Sequence, residues 1–173
     1  METRNSINDV VNSLREGEIV SLNHSSGSWI CCDATKTDIV SKSGFEQLPA
    51  PLQTDSNILV SGFNMLDGYT EFVPESAYQL MEVSEECIRI SYPLVKNLSV
   101  SAISSDGSAT IVLINNGFVK NVIDRFRKPL LSFSASPDTS ITANLEIDIL
   151  EPLVFSKDII KFNKDESFKI IRG

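Results

Sequence analysis

The chain has 173 residues, of which 42% are hydrophobic and 22% charged, values typical of a globular protein. This length favours one compact domain, which we assign to residues 1–173, and the composition excludes a disordered chain. No uncharged apolar run approaches the roughly 20 residues that a bilayer-spanning helix needs. The formal net charge of −8 disfavours non-specific binding to the phosphates of nucleic acids.

Cysteine and histidine are too few for a fold built on disulfides or histidine-rich metal sites. Cys31, Cys32 and Cys87 form no CxxC pair, and we expect them to be reduced and buried. His24 is the single histidine, so one imidazole at most is available for acid–base chemistry. No secretory signal is visible before the first helical pattern, and these absences predict a cytoplasmic protein without a membrane segment.

The first half of the sequence alternates helical and strand-like segments. Ile7, Val10, Val11 and Leu14 recur at helical spacing and are followed by Gly17, which predicts an amphipathic helix. By the same reasoning we predict strands at 18–22, 29–32 and 57–60, a polar loop at 23–28, a loop with at most one short helix at 35–56, and helices at 64–69 and 74–83.

The second half continues the alternation. Phe118, Val122 and Phe126 belong to the clearest helical stripe in the chain, and the basic turn that ends it is interpreted as solvated cations at a helix C-terminus. Strands are predicted at 87–92, 109–114, 130–133, 143–150, 158–162 and 168–172. Strands and helices interleave from end to end, so the predicted fold class is α/β, a mixed sheet covered by helices.

Motifs that would identify a reaction are few. The sequence contains no glycine-rich nucleotide loop and no zinc-protease motif. His24 stands beside Ser25 and Ser26, but neighbours on an extended loop rarely reach the geometry of a nucleophile and its base. The serines from Ser132 to Ser136 follow a strand, where hydroxyl and backbone donors can approach an anion; an ordinary serine-rich turn explains them equally well.

Several segments taken together are similar to one family. They include Gly17-Glu18-Ile19-Val20, Cys32-Asp33-Ala34-Thr35 and the run from Lys128 to Ala135, which is similar to a Lys-Pro-φ-φ-Ser-Thr-Ser-Ala pattern in which φ is aliphatic. Further matches lie at 58–60, 65–66, 73–77, 92–98, 106–108, 159–161 and 169–172. The chain resembles the YrdC-like family, the threonylcarbamoyl-AMP synthases, and the resemblance implies a twisted, open mixed sheet flanked by helices, with a concave cleft.

The resemblance also implies a reaction. Enzymes of this family condense threonine, bicarbonate and ATP into threonylcarbamoyl-AMP and release pyrophosphate, for a modification of tRNA. Such chemistry needs cations around the triphosphate, usually with a divalent metal, and hydroxyl or backbone donors around threonine. ATP and magnesium are therefore the expected cofactors if the activity is retained, and otherwise no cofactor is assigned.

The residues that would carry this chemistry are mostly replaced. The family's Lys-x-Arg falls on Leu48-Pro49-Ala50, and no basic residue occurs between Lys42 and Arg89. A family threonine falls on Arg89, and a family arginine falls on Val112. Each charge-assisted bond to phosphate is typically worth about 1.5–3 kcal/mol, so the loss of three or four cations forfeits roughly 5–10 kcal/mol of ATP affinity.

Other positions of the predicted cleft have changed as well. Phe133 and Ser136 stand where the family has threonine and asparagine, and Trp29 stands where it has glycine. We expect Trp29 to fill space that a ligand occupies in the family, and the sequence leaves open whether Phe133 fills the cleft as well. The resemblance places eight candidate ligand contacts in the cleft: His24, Ser25, Ser26, Arg89, Ser132, Ser134, Ala135 and Arg172. No catalytic or metal-binding residue is predicted.

Three functions follow as hypotheses. The first is a divergent relative without synthase activity that binds a small polar ligand or a protein partner, in a binding or regulatory role. The second is an active enzyme that uses altered donors on ATP or another nucleotide. The third is an RNA-binding module for tRNA or double-stranded RNA, which rests on family analogy and is disfavoured by the acidic charge.

Overall fold

The computed structural model describes residues 4–48, 55–135 and 141–172, with side chains from residue 6 onward. Five α-helices and nine strands lie in these ranges, together with single 3₁₀ turns at Phe45–Gln47 and Val100–Ala102. The helices are α1 Arg4–Arg15, α2 Thr37–Lys42, α3 Phe63–Asp67, α4 Glu75–Val83 and α5 Gly117–Phe126. The strands are β1 Val20–His24, β2 Gly27–Asp33, β3 Asn57–Val60, β4 Cys87–Tyr92, β5 Ala109–Leu113, β6 Leu130–Ser134, β7 Leu145–Asp148, β8 Phe155–Phe162 and β9 Phe168–Ile171.

The strands form one mixed sheet in the order β7-β1-β2-β6-β3-β5-β4-β8-β9. Three neighbouring pairs are parallel, namely β1 with β7, β3 with β5 and β4 with β8, and the other five are antiparallel. The sheet has helices on both faces, so the predicted mixed α/β architecture is confirmed.

The two faces of the sheet carry separate hydrophobic cores. On one face, which we call the α1/α5 face, Leu14 and Ile123 of the two helices pack with Leu59 and Val112 of the sheet. On the other face a second core includes residues of α2, α3 and α4. Because side chains alternate along a strand, each central strand contributes to both cores.

Most predicted elements are confirmed, and the differences are local. The polar loop predicted at 23–28 is wrong, because β1 extends to His24, β2 begins at Gly27, and these two residues pair across a two-residue turn. Residues 35–48 contain α2 and a 3₁₀ turn, whereas 49–54 lie outside the described residues. Within the described part of the chain, no helix is both long and apolar enough to cross a membrane.

The cysteines follow the sequence expectation in part. Cys31 and Cys32 are buried on opposite faces of β2, one in each core, and all three cysteines are free thiols. Cys87, at the start of β4, is only half-buried, so the expectation of burial is wrong there. Its place at a strand end leaves part of the thiol outside the core.

Candidate functional site

Three polar side chains interrupt the apolar α1/α5 face on central strands, and we call them the polar row. Asn57 begins β3, two residues before Leu59, and it pairs in register with Ser132 of β6. Arg89 of β4 pairs with Val112 of β5, so its side chain leaves the sheet on the same face. All three are buried, with 4% of Asn57, 7% of Arg89 and 1% of Ser132 exposed.

Arg89 makes internal contacts across the sheet. Its Nε donates to Asn57 Oδ1 at 2.9 Å, its Nη2 lies 3.9 Å from Asp55 Oδ1, and its backbone N–H donates to Ser156 Oγ at 2.9 Å. Burial lowers the pKa of the Arg89 guanidinium, and the charge of Asp55 opposes that shift. The Asp55 side chain is 67% exposed, so it stabilises the buried guanidinium only weakly. The closer partner of the guanidinium is the Asn57 amide.

Ser132 places an unsatisfied hydroxyl in the polar row. Within the described residues its buried Oγ forms no hydrogen bond of ordinary geometry, although it touches the Cys31 thiol, a weak partner. A buried hydroxyl without a good partner costs about 1–3 kcal/mol. Burial also raises the pKa of Cys31 to about 12, with Ser132 opposing the shift, so this thiol is protonated at neutral pH.

A small pocket of about 150 Å³ lies beside the polar row. Ser91 and Thr110, which pair in register on the α1/α5 face, belong to its wall. Its polar lining consists of Ser56, Ser91, Ser104, Ser108, Thr110 and Lys161. We call this cavity the hydroxyl pocket. Pockets for drug-sized ligands usually measure roughly 300–1,000 Å³, so this one suits a molecule smaller than a nucleotide.

The single lysine of the hydroxyl pocket is already paired. Lys161 Nζ lies 2.8 Å from Asp106 Oδ2, and Asp106 Oδ1 accepts from both the backbone N–H and the hydroxyl of Ser108. These bonds hold the pKa of Asp106 well below its usual range. The pocket therefore offers hydroxyl groups and a neutralised ion pair, not a free cation.

Replacement of Asp106 by asparagine is expected to weaken folding in a pH-dependent way. At pH 7 the free energy of unfolding should fall by about 1 kcal/mol or less, because the ion pair is half-exposed and screened. A depressed carboxyl pKa stabilises the folded state above the unfolded-state value near ~3.9, and the gain disappears as pH falls through the folded-state value. Urea unfolding of both proteins at pH 7 and pH 3 tests this, and a difference that grows on acidification contradicts it.

The sequence-predicted contacts do not converge on one ligand. His24 Nδ1 lies 2.8 Å from Ser26 Oγ and accepts from the Ser26 N–H at 3.1 Å, while Ser25 and Ser26 are exposed at the tip of the β1–β2 turn. Five strand spacings of about 4.8 Å separate β1 from β4, so His24 lies roughly 24 Å across the sheet from Arg89. A small ligand cannot contact both.

The remaining candidates lie in two further places. Ser132 is in the polar row, Ser134 is exposed at the end of β6, and Ala135 follows it half-buried. Arg172 lies just beyond the edge strand β9, where its 79%-exposed side chain binds Asp158 Oδ2 at 2.7 Å. The ligand-binding role of each of these residues stays a prediction.

The two bulky residues of the predicted cleft, Trp29 and Phe133, lie on different faces of the sheet. Trp29 pairs with Ser134 and packs half-buried on the α1/α5 face, so it occupies space beside the polar row. Phe133 points to the opposite core, where its ring packs against Phe45 with centroids 5.5 Å apart and an interplanar angle of 44°. Phe133 therefore does not adjoin the polar row, because neighbouring residues of a strand face opposite ways.

Sequence reasoning missed Asn57, Ser91 and Thr110. Asn57 is visible in hindsight as a polar residue at the head of an otherwise apolar strand, but nothing in the sequence shows which strand it adjoins. Arg89 also pairs directly with Val112 of the next strand. The family has threonine at the first of these positions and arginine at the second, so the cation stands on the other strand of the pair here. The cation that the resemblance implies at position 112 is matched here by one on the paired residue of the next strand.

Comparison with known proteins identifies the fold. No family model matches the sequence, and no curated protein matches it. Among solved structures, Escherichia coli YciO superposes with a TM-score of 0.73 at 16% identity, over 99% of this chain and 90% of that one. P. abyssi Sua5 complexed with L-threonine gives 0.70 at 14%, over 94% and 52%, and full-length HypF in a phosphate- and nucleotide-bound form gives 0.72 at 15%, over 96% and 28%.

These likenesses establish the fold. The chain has the YrdC-like fold, and its nine-stranded mixed sheet corresponds to that of YciO and Sua5. It spans about half of the Sua5 chain and little more than a quarter of the HypF chain. Identities of 14–16% leave the residues of the site free to differ.

Arg89 is expected to contribute to stability through its stem and its bond to Asn57 more than through its charge. Arg89→Ala should lower the free energy of unfolding by about 2–3 kcal/mol, since it removes buried packing and leaves Asn57 Oδ1 without this donor. Arg89→Met keeps an apolar stem and removes a desolvated charge, so its cost should stay near 1 kcal/mol. Urea unfolding measures the stability of both variants. Equal losses of unfolding free energy would contradict the greater role of the Arg89 stem.

Proposed function

We propose that this YrdC-like domain does not synthesise threonylcarbamoyl-AMP and acts instead as a cytoplasmic binding module for a small polar ligand. The proposal concerns the described domain. The ligand is of amino-acid size, neutral or zwitterionic, and held mainly through hydroxyl groups of the hydroxyl pocket.

The observation that carries the proposal is the state of the two cations beside the pocket. Arg89 is buried and bonded to Asn57, and Lys161 is neutralised by Asp106. A magnesium-bound triphosphate needs several cations free to contact phosphate oxygens. The residues present therefore do not fit ATP, and a volume of about 150 Å³ is too small for it.

The donor set also fails to fit a resident divalent metal. Within residues 4–48, 55–135 and 141–172, no group of three histidine, cysteine or acidic side chains is arranged to hold a metal ion. Asp106, which bonds to the pocket residues Ser108 and Lys161, already accepts three hydrogen bonds. No step of a reaction is therefore assigned to a metal here.

The loss of synthase activity is tested by incubating the purified protein with ATP, threonine, bicarbonate and magnesium. We expect no pyrophosphate above the protein-free blank. Robust turnover would establish the alternative, an active enzyme with altered donors. In that case nucleotide should raise the melting temperature of the wild-type protein, because binding to the native state raises its apparent stability. This rise should disappear in Arg89→Ala and Ser134→Ala.

Ligand binding is tested separately with L-threonine, the molecule bound in the P. abyssi Sua5 structure. Millimolar threonine should raise the melting temperature of the wild-type protein, and Thr110→Val should abolish the rise because it removes one pocket hydroxyl without changing the residue's shape. Ser25→Ala, on the distant hairpin, serves as the matched control. An unchanged melting temperature for the wild type counts against threonine-like ligands in this pocket.

A further inference from the structure

Two adjoining cavities lie at the ends of the central strands opposite the hydroxyl pocket. The larger measures about 310 Å³ and the smaller about 180 Å³. Glu86 and Asn115, at the strand ends, line both, so the two cavities adjoin there from opposite faces of the sheet, and we call them together the acidic groove. It lies where β4 and β8 begin and β5 ends, since Cys87, Phe155 and Leu113 all line it.

The floor of the acidic groove is apolar. Phe63, Met81, Ile88 and Leu113 surround the smaller cavity, and Phe118, Leu153 and Phe155 lie in the larger one. Large aliphatic side chains at its margin are left in solvent: Val154 is 64% exposed and lines the larger cavity, and Val83, which follows the lining residue Glu82 in sequence, is 79% exposed. Exposed apolar side chains beside an apolar cavity are typical of interaction sites on soluble proteins.

The rim of the acidic groove has charge of one sign. Glu82, Glu85, Glu86 and Glu151 line the two cavities, and no lysine, arginine or histidine of the described chain does. None of these four carboxylates belongs to a salt bridge among the described residues. Their mutual repulsion is uncompensated within the protein, and a cationic partner relieves it.

We propose that the acidic groove is a docking surface for a partner-protein segment that carries apolar side chains flanked by lysine or arginine. The apolar side chains enter the two cavities, each larger than the roughly 150 Å³ that accommodates a benzene ring, and the cations face the glutamates. A second copy of this chain is a poor occupant because it carries a net charge of −8, and an anionic membrane is repelled for the same reason.

The test uses a short fluorescein-labelled peptide of repeating Lys-Lys-Leu-Leu, measured by fluorescence anisotropy against the full chain. Saturable binding is expected, and it should weaken at high salt. Val154→Asp and the double variant Glu85→Lys/Glu86→Lys should each raise Kd by about tenfold or more, because each removes one of the two complementary features. All three substituted residues are exposed, so folding should be retained.

Matched controls separate docking from bulk electrostatics. Val100→Asp introduces the same charge at an aliphatic residue that is 76% exposed elsewhere, and Glu16→Lys/Glu71→Lys makes the same change in net charge away from the groove. Both should bind within about twofold of wild type. Three results would overturn the proposal. The first is an equal loss of peptide affinity in the controls and the groove variants, and the second is equal binding of a Lys-Lys-Ser-Ser peptide. The third is self-association of the protein that Val154→Asp abolishes.

Discussion

Phe133→Thr, which introduces the residue found in the resembling family, should lower the free energy of unfolding by about 3–4 kcal/mol. Phe133 is 2% exposed and stacks on Phe45, so the change opens a cavity in the core on the face away from α1 and α5 and buries a hydroxyl there. For a domain of this size the melting temperature should fall by roughly 10 °C. Chemical and thermal unfolding measure the effect.

Phe168→Thr is the matched control for this prediction. Phe168 is 53% exposed on the edge strand β9, so the same substitution should cost less than about 1 kcal/mol. Because Phe133 faces away from the polar row, the Phe133→Thr protein should gain no affinity for threonine or nucleotides. A small stability loss at Phe133 together with new ligand binding would place its ring in the cleft after all.

The second large effect concerns the reactivity of the thiols. Burial raises the pKa of both Cys31 and Cys32 to about 12 from the model-compound value of 9.0. At pH 8 the reactive thiolate is then far rarer at each site than in an unperturbed cysteine, and access is blocked as well. In the native protein a thiol reagent should modify Cys87 first, and the other two only as fast as the protein unfolds.

Mass spectrometry of partially labelled protein measures this order. Cys87 is half-buried, and burial raises the pKa of its thiol too, so its labelling should be slower than that of a free thiol but should proceed without unfolding. Cys87→Ser should therefore abolish the fast phase. Rapid native-state labelling of Cys31 would show that the polar row is open to solvent, and it would remove the basis for treating Arg89 and Ser132 as internal groups.

The sequence predicts the elements well because periodicity is local information. The stripe that ends at Phe126 and the apolar run at Asn57–Val60 each reveal a helix or strand without reference to any neighbour. The burial of the adjacent pair Cys31 and Cys32 was also expected, and they face opposite cores because side chains alternate along a strand.

Sheet order and register are long-range properties, and the site depends on them. Nothing local shows that β3 lies between β6 and β5, or that Arg89 is level with Val112. For that reason the family resemblance predicted that His24 and Arg89 line one cleft, although they lie far apart across the sheet. The hydroxyl pocket was missed for the same reason, because its walls come from separate strands and loops.

The proposed absence of synthase activity is compatible with the preserved fold. Core residues such as Leu59 and Leu131 are fully buried and aliphatic. Their packing stabilises the sheet independently of which residues line the cleft. Two positions at which the resemblance implies cations, Leu48 and Val112, are apolar here and belong to the two cores. Arg89, which stands where the family has threonine, donates to an internal partner, Asn57.

Calorimetric titration of the protein with magnesium-ATP, in the presence of threonine, tests the central claim most directly. Because Lys161 and Arg89, the two cations beside the hydroxyl pocket, are both bound to internal partners, we predict no saturable heat and a Kd weaker than about 1 mM, which corresponds to less than ~4 kcal/mol of binding free energy. A saturable isotherm with a micromolar Kd would contradict the account.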